Sequence, residues 1–459
     1  MKSLQNNPEA VSSNRRFPHS APLSSPNPHL QPQLQPHPQL RPHLHIAIPA
    51  MDELEYLPHT LQSIEQSVFS CKSSSEPAFT VYICVNQPDD WWNDTAERRR
   101  ICESNATLLR ALEEYHAFPI VVIDRCSRGK GWTGKNFGVG WARKALFDHI
   151  LSVAAPTDLI VSMDADTQFD SGYLQSLFDS FAAHPQWVAL SVPYYHRLTG
   201  DAAADRAILR YEVYMRNYAL NMLRIGSPYS FTAIGSAIVM RAAALRKIGG
   251  ITPVKSGEDF YLLQKLTKMG TVGSWNPECV YPAARFSDRV FFGTGPAMTK
   301  AAVGDFESYP IYHHTLFEKV AETYARTDEL YHHDLHTDFL LFLQRQFKDA
   351  DPWSTIRNNV KDADQFRRAF HEKADGLRIL QFLKQQQKEK AIPDKESLFD
   401  NLMLFSKNKD YIKASGQDFD RILSEIRTTD SIEAIGSDVL ALLRDILFAM
   451  EMSVRHDMD

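Results

Sequence analysis

Between residues 44 and 304, short apolar runs alternate with longer stretches whose apolar positions recur every three or four residues, the pattern of strands joined by crossover helices. The strand-like runs are His45–Pro49, Thr80–Val85, Ile120–Asp124, Leu159–Met163, Val188–Val192 and Ser236–Met240. Helices are predicted over 57–69, 94–116, 137–152 and 172–183. Past residue 305 the strand pattern stops and helical spacing takes over, at 316–324, 337–347, 363–388, 395–405 and 434–453. The first 43 residues are dominated by Pro, Gln, His, Ser and Asn, too little apolar surface to offset the entropy of ordering them. The expected organisation is a disordered tail at 1–43, an α/β domain at 44–304 and an all-helical domain at 305–459.

Composition narrows the function. With 459 residues and 44% hydrophobic content, the chain is long enough for one large core and a smaller unit. A net charge of -6 argues against a general nucleic-acid binder. The five cysteines (Cys71, Cys84, Cys102, Cys126, Cys279) are widely spaced without a Cys-x-x-Cys pair, and are expected to be reduced core residues. No apolar run reaches the roughly 18 residues of a membrane span. A soluble cytoplasmic protein is expected, with room for peripheral contact at the inner face of a membrane.

The chemistry concentrates at strand ends. Asp164-Ala165-Asp166 follows Leu159–Met163, and residues i and i+2 of a strand face one side, so both carboxylates can reach one hard divalent cation. Mg²⁺ or Mn²⁺ shared with a nucleotide diphosphate is the natural occupant. Pro49-Ala50-Met51-Asp52-Glu53 ends the first strand and opens a helix, where acidic groups also complement the helix dipole. Asn86-Gln87 ends the second, and its amides suit a base edge or a turn equally. The third strand leads into a loop from Asp124 to Gly138 that carries Arg125, Arg128, Lys130 and Lys135 among several glycines before a helix, a phosphate-favouring combination that is not a Walker loop. Gly257-Glu258-Asp259 supplies a second carboxylate pair, suited to general-base work or to a charged helix start. Arg285 and Arg289 flank an aromatic, glycine-containing turn and could meet phosphate or an acidic group. His313-His314 and His332, His333, His336 lack the metalloprotease Glu and are taken as surface or core histidines, with His332 and His336 sharing a helix face.

Taken in order, Pro49 with its acidic helix start, Asn86, Gly134-Lys135-Asn136-Phe137-Gly138 with Ala142-Arg143, Asp164-Ala165-Asp166, Gly235-Ser236-Ala237, Gly249-Gly250-Ile251 and Gly257-Glu258-Asp259 resemble the family 2 glycosyltransferases over about residues 44 to 300. The resemblance implies a GT-A fold, a Rossmann-like mixed sheet flanked by helices, and an inverting transfer from a nucleotide-sugar donor that uses Mn²⁺ or Mg²⁺. It implies that Asp164 and Asp166 hold the metal, Asp164 also facing the ribose. Asp259, with Glu258 beside it, would be the catalytic base. Pro49, Asp52, Asn86, Lys135, Asn136 and Arg289 would complete the donor site. Asn86 stands where many relatives carry Asp against the base, which leaves the nucleotide open, with a UDP-sugar favoured. The Gln-x-x-Arg-Trp signature and membrane helices of processive synthases are absent, so a non-processive enzyme of glycan, envelope polysaccharide or glycolipid synthesis is expected, acting on a glycan or lipid-linked acceptor. Two other readings stand beside it: a sugar nucleotidyltransferase, though the first strand lacks that class's glycine-rich loop, and a non-catalytic scaffold on the same fold.

Overall fold

The computed structural model describes residues 42–70, 79–286, 294–407 and 416–459. The predicted donor residue Arg289, Cys71 and nearly all of the predicted tail lie outside them. All six predicted strands form, as β1 (Leu44–Ala50), β2 (Phe79–Asn86), β3 (Ile120–Arg125), β4 (Leu159–Ser162), β6 (Trp187–Ser191) and β7 (Ile238–Arg241), with three-residue strands β5 (Thr167–Phe169), β8 (Thr271–Gly273) and β9 (Val280–Pro282) in addition. Seven of them make one sheet in the order β3-β2-β1-β4-β7-β6-β8, and β5 pairs with β9 alone. Strands β1 to β4 run parallel, β7 runs antiparallel between β4 and β6, and β8 is parallel to β6. Reversal of β7 has a consequence for the site: its amino end lies at the edge where β1, β2, β3 and β4 end.

Alternation along the strands builds two cores. Ala47, Tyr82, Ile160 and Met240 face Ala142, Leu146 and Ile150 of α3 (Val139–Val153). Ile46, Ile48, Val81, Ile83 and Val161 face α1 (Leu57–Ser70), α2 (Ala96–Glu113) and α4 (Tyr173–Ala183). The result is the expected mixed sheet flanked by helices, with a helical region after it. Helix α5 (Ala202–Arg224), unforeseen in the sequence, is the longest in the described chain; α6 (Ala242–Lys247), α7 (Glu258–Met269) and α8 (Thr294–Ala302) follow it.

The remaining helices are α9 (His314–Ala325), α10 (Thr327–His332), α11 (Asp338–Phe347), α12 (Ser354–Asn359), α13 (Ala363–Lys373), α14 (Gly376–Lys390), α15 (Asp394–Phe405), α16 (Gly416–Thr428) and α17 (Ser437–Met458). Phe317, Phe339, Phe342, Phe370 and Phe382 from this set join the α3 side of the sheet's core. Leu398, Leu402, Ile422, Leu443 and Leu447 pack on Leu209, Val213 and Leu220 of α5. Buried charge fastens the same contact: Arg216 of α5 donates to Glu212 at 2.8 Å and to Glu451 of α17 at 2.9 Å, and Arg455 donates to Glu451 at 2.8 Å.

Two expectations are corrected. The single helix predicted over 363–388 is two, because Asp375 turns outward in extended backbone and its side chain caps the amide of Arg378 at the start of α14. His332 closes α10 while His336 lies in the coil beyond it, so the two do not share a helix face. His313 instead caps α9, its ring accepting from the Thr315 amide. Cys84, Cys102, Cys126 and Cys279 are unpaired, and the first three are buried, as expected. Among the described residues no helix is long and apolar enough to cross a membrane.

Candidate active site

Beyond β4 the chain runs directly into Asp164 and Asp166, at the carboxyl-terminal edge of the sheet. The amino end of β7 delivers Gly235 and Ser236 to the same edge, where Ser236 Oγ donates to Asp164 Oδ2 at 3.1 Å and Ser162 Oγ donates to the Gly235 carbonyl at 2.8 Å. Helix α3 contributes Arg143, whose side chain is only 4% exposed. Its guanidinium donates to Ser162 Oγ at 3.2 Å, to Asp164 and to Glu258 at the start of α7. Burial works against the Arg143 charge, but Asp164, Glu258 and Asp259 outweigh it and raise its pKa.

Glycine at 235 follows from that guanidinium. A Cβ built there would lie 2.0 Å from Arg143 Nη2. The arginine is the far end of a long side chain, yet its ion pairs pin it. Gly235→Ala is therefore expected to lower stability by about 1–3 kcal/mol, the usual penalty of overpacking, as read from a urea midpoint shift.

A second bridge flanks the first. Arg285, just beyond β9, donates Nε to Asp166 Oδ2 at 2.8 Å and Nη2 to Glu53 Oε1 at 2.6 Å, with its guanidinium 4.1 Å from the centre of the Tyr56 ring. Each aspartate of the motif is thus tied through an arginine to a second, buried glutamate from a distant element. Neither arginine bridge was read from the sequence. Arg143 lies within the apolar stripe Ala142, Leu146, Phe147, Ile150 of its helix, and a charge in such a stripe demands a buried partner.

Asp259 is half-buried beside this network. Burial, then the charge of Glu258, pushes its carboxyl from the ordinary 3.8 up to about 7, against the pull of Arg143. Its Oδ1 accepts from the Phe260 amide at 2.7 Å. Half-buried tyrosines of α5 stand nearby: Asp259 contributes to raising the Tyr211 pKa, after burial and three neighbouring tyrosines. Tyr309 meets Tyr211 and Tyr214 edge-on at 5.1 and 5.5 Å.

The other predicted residues are placed as follows. Pro49 is buried within β1, in register with Cys84 of β2. Asp52 holds a positive φ of 59°, uncommon for a residue with a side chain, supported by Asn105 Oδ1 on its amide at 2.8 Å and by the fork of Arg100 on its carboxylate. Asn86 is 3% exposed, and its amide is used inside the protein, donating to the Ala50 carbonyl and accepting from Trp132 Nε1, both at 3.0 Å. It fixes the loop that follows β3 to the end of β1. That loop is further drawn down at Gly131, where a Cβ would meet the Asp89 backbone at 2.7 Å. Of its cations, Lys130 pairs with Asp124 at 2.8 Å, Arg125 covers Trp132 and Arg128 covers Trp92. Lys135 and Asn136 are exposed, and Lys135 makes no ion pair among the described residues.

A metal fits here in one specific sense. Among the described residues no three His, Cys, Asp or Glu side chains are arranged to hold an ion by themselves. The carboxylates of Asp164 and Asp166 nevertheless offer hard oxygen donors at one edge of the sheet, each oriented by an arginine, Arg143 and Arg285. Mg²⁺ and Mn²⁺ commonly take one or two carboxylates and complete their shell with water and substrate phosphate.

No family model matches the chain, and no curated protein matches it. Solved structures similar to it include TarS of S. aureus (13% identity, TM-score 0.35), with 52% of this chain and 36% of that one covered. They also include TarS 1–349 with UDP-GlcNAc (12%, TM-score 0.40), covering 90% and 92%. A third is the mannosyltransferase PcManGT of Pyrobaculum calidifontis with GDP-Man and Mn²⁺ (13%, TM-score 0.35), covering 93% and 91%. The chain spans about a third of the first of these, and likeness at this level carries no information about substrate.

Proposed function

We propose that this chain is a metal-dependent, inverting glycosyltransferase that moves a sugar from a nucleotide-diphosphate donor to an acceptor hydroxyl. The observation that supports it most is the Arg143 bridge, which joins Asp164 of one carboxylate motif to Glu258, the neighbour of Asp259, in the other. The bridge gathers two acidic motifs 94 residues apart in sequence at the one sheet edge where a donor and an acceptor would have to meet. A nucleotidyltransferase finds less support, because the turn after β1 holds an arginine-tied acidic pair, Asp52 and Glu53, in place of a phosphate-cradling glycine loop.

In this reading Asp164 and Asp166 would hold the divalent ion beside the donor's diphosphate. The ion would act as a Lewis acid toward the departing phosphate. Arg143 and Arg285 keep the two aspartates oriented, and Lys135 offers its free cation to the diphosphate. Asp52, braced by Arg100, and the Asn86–Trp132 contact shape the nucleotide side. Asp259 takes the proton from the acceptor hydroxyl as the new bond forms, and a base with a pKa near neutrality suits that task. The half-buried tyrosines of α5 offer the acceptor a flat apolar face.

The test is a thermal-shift panel of UDP-, GDP-, CDP- and dTDP-sugars with and without Mn²⁺, including UDP-GlcNAc and GDP-mannose. A ligand that binds only the folded state raises the melting temperature by mass action. A Mn²⁺-dependent shift with one nucleotide class is expected, together with its loss in Asp166→Ala. No shift with any donor would overturn the reading.

A further inference from the structure

Helix α5 carries a second recess whose walls share no residue with the carboxylate cluster. Ala203, Arg206, Ala207 and Arg210 repeat at helical spacing and so present one face. Because the alanines leave that face shallow, α8, the segment with Gly304 and Phe306, and Ile432 and Leu440 enclose a cavity of about 390 Å³ against it, open on one side. That volume falls in the range of small-molecule sites, roughly 300–1,000 Å³.

Its polar end is unusual. Arg206 donates to the Ile435 carbonyl at 3.0 Å, to Ser437 Oγ at 3.3 Å and to the Glu433 carbonyl, so among the described residues no carboxylate balances its charge. Arg210 is 3% exposed. Its Nη2 meets Asp394 at 2.5 Å, its Nε meets Glu433 at 3.4 Å, and the guanidinium lies 5.0 Å from the Phe306 ring centre. Nη1 of Arg210 is buried with no hydrogen-bond partner. A buried donor without an acceptor is costly, and at this mostly apolar cavity the two guanidinium groups of Arg206 and Arg210 have two carboxylates, Glu433 and Asp394, between them, which leaves Arg210 Nη1 to be met by an oxygen from outside the protein.

We propose that this cavity binds a small anionic amphiphile, with a carboxylate or phosphate oxygen at Arg210 and Arg206 and a short alkyl or aryl body against Ala203, Ala207, Phe306 and Leu440. None of these residues belongs to the proposed donor site, so the inference stands apart from the transferase reading.

The experiment is calorimetric titration of the full chain with octanoate and octyl phosphate, against octanol, octyltrimethylammonium, acetate and inorganic phosphate. Saturable one-to-one binding of an eight-carbon anion is expected, at least about tenfold tighter than any of the four controls. Whichever head group binds more tightly identifies carboxylate or phosphate as the recognised oxygen. Ala207→Leu, which fills the cavity, and Ala203→Trp, which blocks its exposed rim without entering the core, should each weaken binding by about tenfold or more with the circular-dichroism spectrum unchanged. Arg210→Met should remove the preference for the anion over octanol. Absence of saturable binding by both anions, equal binding of octanol or of the short anions, or full binding by Ala203→Trp would overturn the proposal.

Discussion

Asp259→Asn is expected to lower turnover by about 10²–10⁴ while the donor binds as before, because the amide keeps the side chain's shape and loses its ability to take a proton. Steady-state rates paired with donor titration separate the two effects, and full turnover in the variant would remove Asp259 from the base role. The wild-type rate carries its own signature. A carboxyl pushed up to about 7 is protonated below that pH and cannot accept the acceptor's proton, so the rate should fall about tenfold per pH unit on the acid side. An ordinary carboxylate would place that limb near pH 4.

The same shift fixes a sign for stability. The folded protein binds the Asp259 proton more tightly than the unfolded chain, so below about pH 4 both states hold it and nothing is lost. Between about pH 4 and 7 stability falls as pH rises, and above 7 the ionised carboxylate is a constant burden. Three pKa units at 1.36 kcal/mol each set an upper limit of about 4 kcal/mol, reduced by the side chain's partial exposure. In the metal-free protein Asp259→Asn should therefore melt above the wild type at pH 8 and with it near pH 4. Melting curves at the two values decide this, and a less stable variant at pH 8 would contradict the sign.

Much of this was legible in the chain because strands apolar along their length and helices of regular spacing announce themselves. All six strands expected from their apolar runs form in one sheet, and the carboxylate motifs fall at its edge. Three elements escaped because three residues are too few to show alternation: β5, β8 and β9. Helix α5 escaped for a different reason. Arg210, Glu212, Arg216, Asn217 and Asn221 are buried within it, so the apolar periodicity that marks a helix is interrupted by charges whose partners, Glu451 and Asp394, come from far along the sequence. Arg143 and Arg285 were hidden similarly. A buried arginine is intelligible only once its carboxylates are in view, and those of Arg143 lie 21 and 115 residues away.

Arg143→Met should be the most destabilising change at the site. It keeps the length and apolar stem of the side chain and leaves Glu258, 2% exposed, as a buried carboxylate without its cation. Breaking a buried pair from one side costs about 3–5 kcal/mol, more than the pair itself contributes, since the remaining charge must protonate or draw in water. Lysine is no remedy, because one ammonium cannot reproduce the fixed fork that serves Ser162, Asp164 and Glu258 together. The decisive variant is Arg143→Met with Glu258→Gln, which removes the stranded charge as well as the cation. Its urea midpoint should lie above that of Arg143→Met alone, with a coupling of about 1–3 kcal/mol. On the proposed function, donor binding should stay weak in both, because Asp164 has lost the partner that orients it. If the two substitutions were additive, Arg143 and Glu258 would contribute independently, and the bridge between the two carboxylate motifs would have no energetic content.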